Sequence, residues 1–206
     1  IGDTTIEGFK FNDINNSGTV DAGEAGLPGA MLYLDLNTDG QFTELDTDGD
    51  GVVDWSEPVA ITRRDNLATP AVNEAGLFEF SGLFPGSYVV REDISSLPGW
   101  QQTFPNVDAP APGGQMNADG SYTITVGAGE KASDLLFGNF QPPRVAVTDV
   151  SVAEGADGET TIVNVTFERT GSFGAPVVVN YRTVDGTAVA GDAPGVAGDN
   201  DYEAVD

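Results

Sequence analysis

The chain has no histidine and no cysteine, and only 8 Lys and Arg stand against 33 Asp and Glu across 206 residues, a formal charge of −25. Without His or Cys there is no Ser/His or Cys/His nucleophile pair, no thiolate zinc site, and no haem or iron–sulfur ligation of the usual kinds. Disulfide stabilisation is likewise excluded. So acidic a surface repels nucleic acid and anionic lipid, which argues against a nucleic-acid partner. No apolar run approaches the roughly 18 residues that span a bilayer, so no direct membrane insertion is expected. Ile1 follows neither a Met nor a signal-type apolar segment, and the chain reads as a processed or excised piece of something longer. What remains available is hard-cation chemistry through the oxygens of Asp, Glu, Asn and backbone carbonyls.

Leu, Ile, Val and Phe make up about a quarter of the chain, enough for a folded core despite the charge. Apolar residues recur with period two or in short β-branched runs separated by Gly and Pro, the pattern of an all-β protein. The expected strands are Thr5 to Phe11, Ala30 to Leu36, Leu77 to Phe80, Ser87 to Glu92, Tyr122 to Val126, Leu135 to Phe140, Arg144 to Val152, Thr160 to Arg169 and Pro176 to Thr183. Pro142-Pro143 is a stiff connector that cannot donate to a ladder, so the expected division is a domain at 1–141, a linker at 142–143 and a second piece at 144–206.

Acidic residues crowd the first third of the chain at alternate positions beside Gly. An EF-hand loop takes oxygen ligands from positions 1, 3, 5, 7, 9 and 12, with Gly at 6 where the chain reverses. Asp13, Asn15, Ser17, Gly18, Thr19, Asp21 and Glu24 fill that template completely. Asp46, Asp48, Asp50, Gly51, Val52, Asp54 and Glu57 fill it again. Between them Asp35, Asn37, Asp39, Gly40, Gln41 and Thr43 make a further window whose position 12 falls on Asp46, a shorter acid shared with the following loop. Many anionic oxygens around a flexible glycine turn favour Ca²⁺ over Mg²⁺, and about two or three ions are expected in the first domain. The flanks alternate like strands, so these are EF-hand-like loops on a β scaffold rather than helical EF-hands.

Phe9-Lys10-Phe11-Asn12-Asp13-Ile14-Asn15, Gly26-Leu27-Pro28-Gly29, Gly76 to Glu92, Pro98-Gly99-Trp100 and Phe137-Gly138-Asn139 resemble an SdrD B-like domain, a Cna-B-type repeat of bacterial surface proteins. That resemblance implies a prealbumin-like β-sandwich that binds calcium and serves as a stalk or spacer. Val150 to Gly155, Val177 to Ala188 and Asp201-Tyr202-Glu203 are similar to the N-terminal part of a Calx-β domain, an Ig-like sandwich. It implies that Glu154 and Asp201 hold further ions, and that about half of the second sandwich must come from a continuing chain or from a neighbouring subunit through β-strand edges.

Lys10, Glu92 and Asn139 fall on a first, a middle and a last strand, which resembles the Lys, acid and Asn trio that forms internal isopeptide bonds in some relatives. Alternation that turns Phe9 and Phe11 to the core, however, leaves Lys10 on the surface and Asn139 in a turn. Paired carboxylates of a glycosidase and a sugar platform of Trp55, Trp100 and Tyr122 have less support than loop ligation and core packing. The expectation is a non-enzymatic, calcium-rigidified segment of an extracellular, cell-surface protein. The alternatives are a filament subunit completed by its neighbour and an accessory module of a secreted enzyme.

Overall fold

A computed structural model of the chain describes residues 4–153 and 161–184. The chain divides into two units, 1–174 and 175–206. In the larger unit two sheets enclose one core. The first sheet contains β1 (Thr4–Asn12), β6 (Leu77–Leu83), β8 (Gln101–Phe104) and β12 (Lys131–Phe140), in the order β6-β1-β12-β8. The second contains β2 (Met31–Asp35), β5 (Val59–Ile61), β7 (Gly86–Asp93), β9 (Ala109–Ala111), β10 (Gly114–Met116) and β11 (Tyr122–Val126), in the order β5-β2-β7-β11-β10-β9. Two short pairs complete the described strands: β3 (Glu44–Leu45) with β4 (Trp55–Ser56), and β13 (Arg144–Val147) with β14 (Phe167–Thr170). The described fold is all-β, as the period-two patterning predicts.

The core follows from that alternation. Ile6, Phe78, Phe80, Leu135 and Phe137 of the first sheet meet Leu32, Leu34, Val90, Tyr122, Ile124 and Val126 of the second, all essentially inaccessible to solvent. Phe78, Phe137 and Tyr122 stack edge to face with centroids 5.3–5.8 Å apart, the arrangement that their ring quadrupoles favour. Tyr122 resolves its buried hydroxyl by donating to Leu136 O at 2.9 Å and accepting from Leu136 N at 3.2 Å.

The first and last strands of the sandwich, β1 and β12, lie side by side and parallel, with Lys10 opposite Phe137 and Asn12 opposite Asn139. Along β1, Thr4, Ile6, Gly8 and Lys10 are buried while Thr5, Glu7 and Phe9 are partly exposed. Phe11 is buried too, since both faces are covered at the end of the strand. The expectation of a surface Lys10 is thereby corrected: the inward phase of the strand is set by Ile6, not by Phe9, and it carries the lysine inside.

Several strands were not legible as alternating runs. β3, β4, β5, β8, β9 and β10 have two to four residues each, too few for a period to register. Conversely, among the described residues the run expected from Thr160 to Arg169 forms a strand only at Phe167–Thr170, the one expected from Arg144 to Val152 stops at Val147, and Pro176 to Thr183 has none. β-branched composition supplies propensity, but a strand also needs a partner, and β14 is one only over the four residues opposite β13. Ser172 fastens this hairpin by donating its amide to Gln141 O at 2.9 Å and its hydroxyl to Ile14 O.

Gly8 is where β1 passes closest to its neighbours: a Cβ there would lie 2.2 Å from Leu135 O and 2.6 Å from the Phe78 ring. Gly8→Ala should therefore destabilise the domain by about 3 kcal/mol in urea titration. Gly82→Ala, at φ 70° with nothing within 4 Å, should cost only about 1 kcal/mol. Equal effects would mean that close strand approach is not what fixes Gly8.

Candidate functional site

Two groups of polar residues stand out against this frame: the acidic loops between Asn12 and Pro58, and a buried trio between the sheets. The three loops share one backbone form. Their fourth positions, Asn16, Thr38 and Gly49, have φ of 59°, 60° and 78°, and their sixth, Gly18, Gly40 and Gly51, have 72°, 78° and 85°. The left-handed turns are free for glycine, tolerated by Asn16 and strained for the β-branched Thr38, so the loop form, at least in the second loop, is held by something beyond local preference.

What holds it is the first acid of each loop. In the first loop Asp13 is fully buried and accepts from Ser17 N at 2.9 Å and Gly18 N at 2.8 Å. In the second Asp35, with a side chain of zero exposure, accepts from Gly40 N at 3.0 Å. In the third Asp46 accepts from Gly49 N at 2.7 Å and Gly51 N at 2.9 Å, and these amides hold its carboxyl below the ordinary carboxylate range. Each is the first-to-sixth contact that reverses the chain.

The closing acids behave differently from one loop to the next. Glu24 closes the first loop by accepting from Ile14 N and Asp21 N, both at 2.9 Å. Glu57, expected at position 12 of the third loop, is 1 % exposed and instead accepts from Leu36 N at 2.7 Å and Thr43 N at 3.0 Å, both in the second. In the third loop the amide next to Asp46, that of Thr47, is taken by Asp54 at 2.8 Å. Asp46 bonds only its own loop among the described contacts and does not reach back to the second.

The remaining window residues line the same loops. Asn15 and Ser17 donate to Asp21 at 2.9 and 2.8 Å, which lowers the Asp21 carboxyl, and Ser17 also meets Thr19. Asn37 donates to Asp39 at 3.0 Å and to Thr43 at 3.2 Å, while Asp39 accepts from Gln41 N at 2.8 Å. Carboxylate oxygens of Asp46, Asp48 and Asp50 lie within 4.8 Å of one another, all exposed, and Asp50 accepts from Val52 N at 2.8 Å. Oxygen-only donors converging on glycine reversals fit a hard cation of flexible coordination. Glu154 and Asp201, expected to ligate in the second piece, lie outside the described residues.

Arg91 was not anticipated by the loop template. From β7 it donates through Nε to Asp35 Oδ2 at 2.7 Å and through a terminal nitrogen to Asp119 at 3.0 Å. A contact across 56 residues leaves no signature in a linear motif.

The buried trio joins both sheets. Lys10 of β1 donates to Glu92 Oε1 of β7 at 2.8 Å and also to Asn139 Oδ1 of β12. Asn139 Nδ2 donates to the same Glu92 oxygen at 2.8 Å. Lys10 and Asn139 have no exposure, and the side chain of Glu92 has none. Burial pushes the Lys10 ammonium down to about 8 against the pull of Glu92, and burial raises the Glu92 carboxyl against the pull of Lys10. Both shifts favour the uncharged pair. Glu92 Oε2, buried and without a hydrogen-bond partner among the described residues, is a place for the proton. The expected surface lysine and turn asparagine are thus corrected to an enclosed amine, acid and amide in mutual contact. The signal in the sequence was the position of the three residues on their strands.

No family model and no curated protein matches the chain. Among solved structures it is similar to GBS52, the minor pilin of Streptococcus agalactiae, at 16 % identity and TM-score 0.37, over 74 % of this chain and 49 % of that one. It is also similar to BcpA, the major pilin subunit of Bacillus cereus, at 18 % identity and TM-score 0.31, over 68 % of this chain and 31 % of that one. The chain therefore spans about half or less of the length of these structures.

Proposed function

We propose that the chain is a non-enzymatic structural segment of an extracellular, cell-surface bacterial protein, stiffened by calcium and braced by a covalent link between its first and last strands. The observation that carries this reading is the enclosed contact among Lys10, Glu92 and Asn139. In the uncharged pair the Lys10 amine attacks Cγ of Asn139. A C–N bond forms, the bond from Cγ to Nδ2 breaks, and ammonia leaves. Glu92 Oε1, at 2.8 Å from both nitrogens, takes the proton from the attacking amine and gives it to the departing one. A single intramolecular turnover results, with no substrate and no regenerated site. Because β1 and β12 are neighbours and parallel, the link ties the two ends of the sandwich together, where pulling force would enter and leave.

The loops supply the second stiffening element. Asp13, Asn15, Ser17, Thr19, Asp21 and Glu24 would hold one calcium ion, and the two later loops would hold others. Bound calcium compensates inward carboxylates, so binding energy becomes folding energy. The SdrD B-like assignment, the boundary at 142–143 and the Calx-β reading of 144–206 belong to the same proposal. The filament alternative draws on exposed apolar residues beyond the sandwich: Val147 on β13 and Ile162 are 54 % and 79 % exposed, and Val178 is 82 %. A neighbouring domain or subunit that added a strand would cover such residues.

Intact mass spectrometry of the folded chain should give a value one ammonia below that of the sequence. Glu92→Gln should restore the full mass by removing the proton carrier, and a full-mass wild type would contradict the link. Lys10→Ala removes the link and leaves the buried Glu92 carboxyl without its Lys10 partner, and should cost about 3–5 kcal/mol by urea titration.

Uncross-linked protein also carries a pH signature. The lowered Lys10 binds fewer protons when folded than unfolded between about 8 and its ordinary value of 10.5. Stability of Asn139→Ala should therefore rise with pH across that interval relative to Asn139→Ala/Lys10→Met. A flat difference would place Lys10 in solvent.

Calcium is tested by scanning calorimetry with and without chelator. At free calcium roughly 100 times Kd, each saturated site should raise Tm by about 5–10 °C. An unchanged Tm would contradict the calcium reading while leaving the covalent link intact.

A further inference from the structure

Loops one and two are closed by the same three hydrogen bonds, although only the first is contiguous. Position 12 of the first loop accepts from positions 2 and 9, and its own amide returns to the position-9 carbonyl, Glu24 N to Asp21 O at 3.2 Å. Glu57 makes the same three contacts on the second loop: it accepts from Leu36 N and Thr43 N, and its amide donates to Thr43 O at 3.1 Å. Leu36 and Thr43 are positions 2 and 9 counted from Asp35. The β3–β4 pair explains how a distant residue arrives there. Glu44 lies opposite Ser56, so the chain leaves after Thr43 and comes back to the same place before Glu57. With residues 44–54 removed, Thr43, Trp55, Ser56 and Glu57 would be positions 9, 10, 11 and 12 of an uninterrupted loop.

An independent feature points to a cation inside it. Asp35 Oδ1 is buried and has no hydrogen-bond partner among the described residues, while Oδ2 of the same carboxylate is occupied by Gly40 N and Arg91 Nε. The bond to Gly40 turns this carboxylate into the loop. Glu57 is equally buried, and no ion pair to it occurs among the described residues. Of these two enclosed carboxylates only Asp35 meets a guanidinium, and through Oδ2 alone; Glu57 meets only backbone amides, and a buried oxygen left without a partner, like Asp35 Oδ1, is costly.

We infer that Asp35, Asn37, Asp39, Gln41 and Glu57 form one divalent-cation site whose loop is split, and that the Asp46–Asp54 loop is an insertion nested within it. Glu57 is the closing ligand of the second loop and not of the third. This deepens the calcium reading and rests on it. It also makes the two sites unequal: the second is enclosed and anchored by Arg91, whereas the third has lost its position-12 acid and is exposed.

The test uses amide NMR of the full chain during titration with CaCl₂, with Gly18, Gly40 and Gly51 each reporting the loop whose first acid it bonds. In the wild type all three resonances should respond. Glu57→Gln should weaken the Gly40 response at least about tenfold and leave those of Gly18 and Gly51 in place. Glu57→Asp, which keeps the charge but is shorter, should weaken Gly40 alone and less severely. Excision of residues 44–54 should remove the Gly51 reporter yet preserve the Gly40 response, because Glu57 then follows Ser56 at position 12. Loss of the Gly51 response in Glu57→Gln, or loss of the Gly40 response on excision of a chain whose Gly18 still responds, would overturn the split site. Three silent glycines in the wild type would instead remove the calcium reading itself, and this inference with it.

Discussion

Compensation of inward-facing carboxylates is the constraint on which this structure turns. A chain with 33 acids and 8 bases cannot pair its charges, and most acids escape the difficulty by facing water. Asp13, Asp35, Glu57 and Glu92 do not. Asp13 is met by two backbone amides, Asp35 by an amide and Arg91, Glu57 by two amides, and Glu92 by Lys10 and Asn139. Backbone dipoles soften a buried negative charge without neutralising it. The loops therefore invite a cation, whereas the trio between the sheets invites proton transfer within the pair. The two proposed stiffening devices are different answers to one electrostatic problem.

Both answers act on the same strand. β1 carries Lys10 into the core and runs directly into Asp13, whose amide donates to Asn139 O at 2.8 Å. The proposed link and the first loop thus both adjoin Asn139 near the end of β12, Lys10 on β1 and Asp13 just beyond it. A sandwich fastened there, as proposed, would resist separation of its first and last strands by shear of the ladder between them rather than by peeling from an edge, and Lys10 and Asn139 are themselves fully enclosed.

Much of this was legible in the sequence. Alternation located β1, β2, β7 and β11 to within a residue or two, because each has one face on the core and at least five residues to express the period. The first loop was legible whole, since all its ligand positions are contiguous. The pattern misplaces Lys10 because two phenylalanines outnumber one isoleucine in setting the face of β1, whereas the structure buries Ile6, Lys10 and Phe11 and leaves Phe9 partly exposed. Glu57 illustrates a different limit. A contiguous template assigns it to the nearest upstream aspartate that fits, whereas β3 and β4 return it to a loop that began at Asp35. Arg91 and Asp119 belong to contacts made only when strands assemble, and nothing local announces them.

The central claim is that a cation completes the charge balance inside the acidic loops. Its most direct measurement is an anomalous difference map from crystals of the full chain grown with calcium. The account predicts peaks within the first and second loops, contacted by Asp13 and Glu24 and by Asp35 and Glu57 respectively, with a weaker one beside Asp46, Asp48 and Asp50. A map without peaks at Asp13 and Asp35, in crystals with ample calcium, would contradict it.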